Sequence, residues 1–182
     1  MPTLAGVLSR TRTAYYRARY RRFASFGKTV RVNGRLKFSG PGRIVVGDRV
    51  YFDNAMGQPN RIRTTDPKAV VRIGEGCYMN GVEIIANDEV TLGPMCMVAD
   101  SLIITSDFHS TRRSRWDPDA KPRSGPVRIG ANVWLAARTS ILQGVTIGDD
   151  SVVALGTVVA TDVPPGMIVA SQQQRVVRPV EE

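Results

Sequence analysis

A hydrophobic position recurs at every sixth residue through the C-terminal part of the chain. The members of this series are all aliphatic: Ile129, Leu135, Ile141, Ile147, Val153 and Val159. A small or β-branched residue stands four positions after each of them: Val133, Thr139, Val145, Ser151, Thr157 and Val163. A period of six is neither the 3.6 residues of a helix nor the alternation of a strand that returns through a hairpin.

One large and one small inward side chain in every six residues fits short flat strands with a corner after each strand. Three such strands would close a triangular coil of about eighteen residues, and successive coils would stack at the ~4.8 Å spacing of paired strands. The spacing therefore predicts a parallel β-helix.

The same spacing appears earlier in the chain. It runs through Ile73 and Met79 and, after a shift of one residue, through Leu92 and Val98 to end at Ile104. Two cysteines, Cys77 and Cys96, then fall at the same inner corner of adjacent coils. We expect them to be small buried side chains, because free cysteine commonly packs as a small hydrophobe.

These patterns divide the chain into three parts. Residues 46–170 form the predicted β-helical domain, preceded by a basic helix and lead-in over 1–45 and followed by a tail over 171–182. The stretch 57–69 is predicted as an outward loop. The repeat also stops across 105–127, a segment rich in Pro, Arg and Asp, which is expected to leave the coil as an excursion loop.

His109, the only histidine in the protein, lies near the start of the excursion loop. Long loops in a compact repeat domain are commonly functional. A sole histidine at the break in a repeat is therefore a candidate for catalysis, and a single histidine cannot supply the three zinc ligands of a γ-class carbonic anhydrase. No metal site is predicted.

Positive charge is concentrated at the N-terminus. The chain has a net charge of +9, and its first 47 residues hold eleven Lys and Arg with no acidic residue. Within this part, residues 4–26 can form a helix with one apolar side. Two interpretations stay open: the helix docks on an anionic membrane surface, or its apolar side caps the β-helix. No nucleic-acid-binding motif accompanies the charge, so no nucleic acid partner is expected.

The composition is that of an ordinary globular domain. The chain has 182 residues, 42% of them hydrophobic, without an apolar run long enough for a membrane span. Two cysteines give no disulfide framework, and the N-terminus lacks the apolar segment of a secretory signal. We expect a cytoplasmic protein, with the basic helix as a candidate contact to the inner face of the membrane.

The repeat resembles a known family. The hexapeptide-repeat acyltransferases, in particular the branch of galactoside, maltose and polysaccharide O-acetyltransferases, contain runs similar to IGANVWLAARTSILQGVTIGDDSVVALGTVVATDVPPG, and the likeness extends from about Val46 to Arg178. The resemblance implies an all-β fold, a left-handed parallel β-helix, assembled as a homotrimer with active sites between neighbouring subunits. It also implies acetyl-CoA as co-substrate and a sugar or glycan acceptor.

The resemblance assigns His109 as the general base that removes a proton from the acceptor hydroxyl. General-base assistance of this kind contributes about 10²–10⁴ in rate. Asp107, two residues earlier, would point to the same side of an extended segment and orient the imidazole or stabilise the imidazolium. An alternative role for Asp107 is that of a turn residue that bonds its own backbone.

Acceptor contacts are implied at the segment Tyr78-Met79-Asn80-Gly81, where the sugar O-acetyltransferases carry an asparagine that faces the acceptor. Asn80 and Gly81 are the corresponding candidates, and an ungapped alignment places Gly81 at the key position. Two interpretations remain for the loop arginines Arg112, Arg113 and Arg115. They form a solvated loop face, or they contact an anionic glycan or the cofactor phosphates.

Contacts to acetyl-CoA are implied at five further positions. Ala137 and Leu155 match residues whose backbone meets the pantetheine arm, and Trp134 matches the tryptophan beside it. Arg175 and Arg178 match C-terminal arginines near the nucleotide phosphates, where a fixed cation is useful.

The sequence thus predicts an acetyl-CoA-dependent O-acetyltransferase that acts on a cell-surface polysaccharide or its precursor. Antibiotic and nucleotide-sugar acetyltransferases are alternatives among enzymes, although the first commonly has a longer loop and the second an extra N-terminal domain. A non-catalytic β-helical module that docks on membranes would explain the charge but leaves the loop histidine without a role.

Overall fold

A computed structural model describes residues 4–171 of the chain. One helix, α1 (Leu4–Tyr20), precedes nineteen short strands within this range. The strands are β1 (Ala24–Phe26), β2 (Arg31–Asn33), β3 (Leu36–Ser39), β4 (Arg43–Val46), β5 (Tyr51–Asp53), β6 (Asn60–Thr64), β7 (Val70–Ile73), β8 (Tyr78–Asn80), β9 (Glu83–Ala86), β10 (Val90–Leu92), β11 (Met97–Ala99), β12 (Leu102–Ile104), β13 (Val127–Ile129), β14 (Trp134–Leu135), β15 (Ser140–Ile141), β16 (Thr146–Ile147), β17 (Val152–Val153), β18 (Val158–Val159) and β19 (Ile168–Val169).

Every third strand joins the same sheet, which makes the three-sided coil that the period of six predicts. Sheet A has the order β1-β4-β7-β10-β13-β16, sheet B runs from β2 through β5, β8, β11, β14 and β17 to β19, and sheet C has the order β3-β6-β9-β12-β15-β18. All pairings between these strands are parallel. The parallel β-helix prediction is therefore confirmed.

The core is a stack of inward side chains in register from coil to coil. Sheet C shows this directly, because Ile84 pairs with Ile103 and Ile103 with Ile141, and all three are fully buried. The small positions are buried as well, including Thr139 and Thr157. Cys77 and Cys96 lie buried in adjacent coils as predicted, and hydrogen bonding between the two thiols together with burial raises the pKa of Cys77.

Two sequence-based boundaries differ from the structure. The β-helix begins at Ala24, because β1, β2 and β3 already occupy the three sheets, rather than at residue 46. The stretch 57–69 is not wholly an outward loop, because it contains β6. The hydrophobic pattern misses this strand because inward side chains such as Asn60 are polar. Asn60 is 1% exposed, donates a hydrogen bond to the Asp53 carbonyl at 2.7 Å and accepts one from the Val82 amide at 3.1 Å.

Helix α1 packs across the open end of the first coil, against β1 and β2. The hydroxyl of Thr13 accepts a hydrogen bond from the backbone N–H of Val32 at 3.1 Å, and Tyr20 donates its hydroxyl proton to the Leu36 carbonyl at 3.1 Å. Tyr16 in turn accepts from the Leu36 amide at 3.2 Å. An exposed strand edge is a template for aggregation, and here the helix covers it.

Arg17 completes the cap on the remaining edge. Its guanidinium donates hydrogen bonds to the backbone carbonyls of Phe26, Gly27 and Lys28, where the chain passes from β1 towards β2. These contacts support the capping interpretation of the basic helix.

Replacement of Thr13 by valine tests the cap. The substitution keeps the shape of the side chain but leaves the buried Val32 N–H without its acceptor, so we expect a loss of about 1–3 kcal/mol in the free energy of unfolding. Thr91→Val is the matched control. Thr91 lies on the outer face of sheet A, and its side chain makes no hydrogen bond with any residue of the described range 4–171. Equal unfolding curves for the two variants would contradict the cap.

Candidate active site

The excursion loop leaves the β-helix at the corner between sheets C and A, after β12. Its two ends are held together: Ser106 forms an antiparallel bridge with Ser124, the Gly125 amide donates to the Thr105 carbonyl at 3.0 Å, and the Ser124 hydroxyl donates to the same carbonyl at 2.9 Å. The first residues of the loop are therefore fixed to the coil, while residues 111–119 are exposed.

His109 follows a tight three-residue turn in this fixed part of the loop. Its backbone N–H donates to the Asp107 carbonyl at 2.7 Å, and Phe108 between them has a φ of 59°. A turn of this kind is rare and strained for a residue other than glycine, and such strain concentrates at functional sites. The imidazole is exposed and makes no hydrogen bond or ion pair with any residue in the described range 4–171.

Asp107 makes no hydrogen bond or ion pair with the imidazole, contrary to the expectation from an extended segment. The positive φ of Phe108 turns the chain between the two side chains. The Asp107 carboxylate instead accepts from Arg123 Nε at 2.9 Å and from Gln143 Nε2 at 2.6 Å. Gln143 Oε1 is buried without a hydrogen-bond partner among the described residues. The carboxylate thus ties the start of the loop to its end and to the coil above.

A second candidate region lies at the corner between sheets B and C. Gly81 (φ 74°), Asp100 (φ 42°) and Arg138 (φ 60°) occupy this corner in successive coils and line an open cavity of about 450 Å³. The Arg138 guanidinium lies 4.0 Å from the Asp100 carboxylate. Asn80 does not face the cavity, because its side chain is 6% exposed and Oδ1 accepts from the Met56 amide at 3.2 Å.

The residues predicted to contact acetyl-CoA continue the same edge. Ala137 directly precedes Arg138, and Leu155 stands at the corner one coil higher with 68% of its surface exposed. Trp134 is 48% exposed on the outer face of sheet B, paired with Met97 in the coil below. Arg175 and Arg178 lie outside the described residues.

One chain does not bring His109 and Gly81 together, because they occupy different corners of the triangular coil. They lie at similar heights along it: His109 follows β12 of the coil that contains Asp100, and Gly81 lies one coil lower. The loop arginines Arg112, Arg113 and Arg115 are all exposed.

Sequence reasoning did not single out three polar residues of these regions. Arg123, Gln143 and Arg138 make the side-chain contacts described above, but none stands at a periodic position that marks it. Trp116 on the loop was also missed, although it is 93% exposed and lies among the loop arginines. Large aromatic side chains are seldom fully exposed. The sequence signal that could have marked Trp116 is therefore the presence of a tryptophan in an otherwise polar loop.

Within residues 4–171, no three His, Cys, Asp or Glu side chains gather in a group suited to a metal ion. No helix in this range is long and apolar enough to cross a membrane.

Comparisons with known proteins identify the same six-residue repeat in this chain. Residues 126–161 match the family model for the bacterial transferase hexapeptide (six repeats). The chain is 31% identical over 113 residues to galactoside O-acetyltransferase of Escherichia coli (strain K12), a match that covers 62% of this chain and 55% of that relative. The chain thus spans little more than half the length of this curated relative.

Two solved structures share the fold. A hexapeptide-repeat acetyltransferase from Vibrio cholerae, solved with acetyl coenzyme A, superimposes with a TM-score of 0.62 at 23% identity and covers 94% of this chain and 79% of its own. A polySia-specific acetyltransferase gives a TM-score of 0.58 at 22% identity, covering 86% and 84%. Residues 126–161 thus carry the hexapeptide repeat of bacterial transferases, and the chain shares the left-handed parallel β-helix fold of these solved acetyltransferases.

Proposed function

We propose that this protein is an acetyl-CoA-dependent O-acetyltransferase that acts on a sugar hydroxyl of a cell-surface polysaccharide or its precursor. The observation that carries the proposal is the position of His109, held by a strained turn where the loop leaves the coil, with an imidazole that no described residue engages. The galactoside O-acetyltransferase relative supports the same reaction class.

The reaction needs a base because a neutral alcohol is a weak nucleophile. The acceptor oxygen attacks the thioester carbonyl carbon while the neutral His109 imidazole takes the hydroxyl proton, so a C–O bond forms and the carbonyl becomes a tetrahedral oxyanion. Collapse of this intermediate breaks the C–S bond. The imidazolium then returns the proton to the thiolate of coenzyme A, which leaves the histidine neutral for the next cycle.

A homotrimer would complete this site. In a cyclic assembly whose axis runs parallel to the coil, rotation preserves height, so corners of neighbouring subunits meet at the same level. We propose that the sheet C/A corner of one subunit faces the sheet B/C corner of the next. His109 of one copy would then meet the cavity of Gly81 and Arg138 of its neighbour. This arrangement accounts for two candidate regions that a single chain keeps apart.

The sheet B/C corner divides naturally between the two substrates. Ala137 and Leu155 stand above the cavity towards the C-terminus, and we assign this upper part, with Trp134, to the pantetheine arm of acetyl-CoA. Exposed apolar surface of this kind suits an aliphatic arm, since its burial is favourable. Arg175 and Arg178 are assigned to the phosphates. The lower part, from Gly81 towards the N-terminus, is left for the acceptor.

The proposal is tested by release of free thiol from acetyl-CoA. Purified protein incubated with acetyl-CoA and bacterial surface glycans is expected to release coenzyme A only when a glycan acceptor is present. Absence of release with a broad panel of glycans would favour a non-catalytic module. We place the reaction in the cytoplasm, where acetyl-CoA is available.

Asp107 is proposed as a positioning residue that acts through the loop. Asp107→Asn removes the charge that holds Arg123, so we expect turnover to fall on the order of tenfold through loss of His109 positioning, with acetyl-CoA affinity retained. Arg123→Gln should cost a similar factor, and the double variant no more than either single one, because both act through the same contact. Additive losses would contradict the shared role.

A further inference from the structure

A continuous groove runs down the sheet B/C corner from the Gly81 cavity to helix α1. A cavity of about 410 Å³ lies against Tyr16, Arg19 and Lys37 and shares Pro59 and Arg61 with the Gly81 cavity. A further cavity of about 410 Å³, against Arg12 and Gly34, shares Tyr15, Tyr16 and Arg35 with the middle one. We call these three connected cavities the B/C groove.

The lower B/C groove is strongly cationic. Its charged lining consists of five basic residues: Arg12, Arg19, Arg35, Lys37 and Arg61. All five are exposed, and none belongs to an ion pair within residues 4–171, where the ion pairs involve other basic side chains. Two acidic residues line the upper end: Glu83 stands beside Arg61 on the neighbouring strand, and Asp100 lies beside Arg138. The unpaired cations create a positive potential without a protein counterion.

Aromatic rings lie among these cations. Tyr15 and Tyr16 meet edge to face with ring centroids 5.1 Å apart, and Tyr15 keeps 56% of its surface exposed. A tyrosine ring offers an apolar face to the C–H surface of a sugar together with a hydroxyl for hydrogen bonding. Arginine forks match carboxylate and phosphate groups. The combination suits a ligand that is both saccharide and anion.

The groove is longer than a single sugar ring. It extends from Arg35 beside the first coil to Asp100 in the fourth, three strand spacings or roughly 14 Å at ~4.8 Å each, and the contact with α1 lengthens it further. We infer that the B/C groove binds a segment of an anionic polysaccharide, with the sugar to be acetylated at its Gly81 end. This inference rests on the proposed function and specifies its acceptor class.

A membrane surface fits the same charge less well. Helix α1 uses Thr13, Tyr16 and Tyr20 to cap the coil, so these side chains are not free to enter a bilayer. The cations of the groove line a concave surface, whereas an interfacial helix presents its basic residues beside an apolar face that inserts.

The test compares two triple variants of the full-length protein. Arg35→Gln/Lys37→Gln/Arg61→Gln removes three charges from the groove, and Lys28→Gln/Lys68→Gln/Arg128→Gln removes three exposed charges elsewhere on the β-helix. Binding is measured by titration calorimetry with polygalacturonate, with neutral pullulan of similar length and with vesicles that contain phosphatidylglycerol. Unchanged thermal unfolding of both variants is checked first.

Polygalacturonate should bind the wild-type protein and the control variant with similar affinity. We expect the groove variant to bind polygalacturonate at least tenfold more weakly. Pullulan should bind all three proteins much more weakly than polygalacturonate binds the wild-type protein. Equal binding of polygalacturonate by both triple variants, or groove-dependent binding of vesicles without polygalacturonate binding, would overturn the inference.

Kinetic measurements separate this inference from the proposed function. With an anionic polymer that accepts acetyl groups, the groove variant should show a KM raised by a larger factor than any fall in kcat, because Arg35 and Lys37 are remote from the reacting atoms and contact the polymer equally in the ground and transition states. Groove-dependent binding without acetyl transfer would refute only the proposed function. Transfer with an unaltered KM for the polymer would refute only the groove.

Discussion

Replacement of His109 by alanine should lower acetyl transfer by roughly 10²-fold or more, because the variant lacks the base that accepts the hydroxyl proton in the transition state. The imidazole is exposed and makes no contact that stabilises the coil within residues 4–171, so the unfolding temperature should stay unchanged. Affinity for acetyl-CoA should also stay unchanged, because the loss concerns a transition-state interaction. Steady-state kinetics and calorimetry check these three quantities.

Lys121→Ala is the matched control for this experiment. It alters another exposed residue of the same loop that makes no side-chain contact within the described residues. We expect it to retain turnover within a factor of two or so, since its substitution changes only surface charge. Wild-type turnover in His109→Ala with the true acceptor would mean that another group acts as the base.

Among the substitutions proposed for this protein, Phe52→Ala should produce the largest loss in the free energy of unfolding. Phe52 is 1% exposed at an inner position of β5, and its ring lies edge to face with Phe38 at 6.1 Å between centroids. Truncation of a buried phenylalanine removes favourable transfer energy and leaves a cavity, for a cost of about 3–5 kcal/mol. Denaturant unfolding at fixed protein concentration measures the difference, since assembly would add to the apparent stability.

Trp116→Ala provides the contrast for this substitution. It removes an even larger side chain, but one that is 93% exposed on the excursion loop. We expect its free energy of unfolding to change by less than about 0.5 kcal/mol. A comparable loss in both variants would show that the loop packs on the core, contrary to the structure.

The periodic residues predict the upper coils well because each inner position there is aliphatic or small. Ile129, Leu135 and Ile141 are all buried as expected. The pattern fails where an inner position is polar and satisfied by the neighbouring coil, as with Asn60 in β6. Local spacing contains no record of a partner that lies twenty-two residues away along the chain.

At the lower end, the period of six continues through Phe26, Val32 and Phe38, but aromatic residues interrupt the aliphatic series because the first coil packs against a helix. Phe38 contacts Tyr20 at 5.2 Å between ring centroids, so aromatic side chains take the place of the small aliphatic core. The β-helix therefore starts before the aliphatic part of the repeat, and the basic N-terminal segment includes three strands of the fold.

The position of His109 was predictable from a break in periodicity, but its surroundings were not. An extended segment places residues i and i+2 on the same side, which led to the expected pairing of Asp107 with the imidazole. The positive φ of Phe108 alters this geometry, and a bulky residue gives no sequence signal for such a conformation. The contacts of Asp107 with Arg123 and Gln143 depend on how the loop returns to the coil.

The central claim is most directly tested by mass spectrometry of an anionic surface polysaccharide after incubation with the protein and acetyl-CoA. The account predicts that repeating units gain the mass of one acetyl group, that mild alkali removes this mass as expected for an ester, and that His109→Ala yields little of the product. An acetylated product that resists alkali, as an amide does, or the absence of any acetylated unit across anionic glycans, would contradict the account.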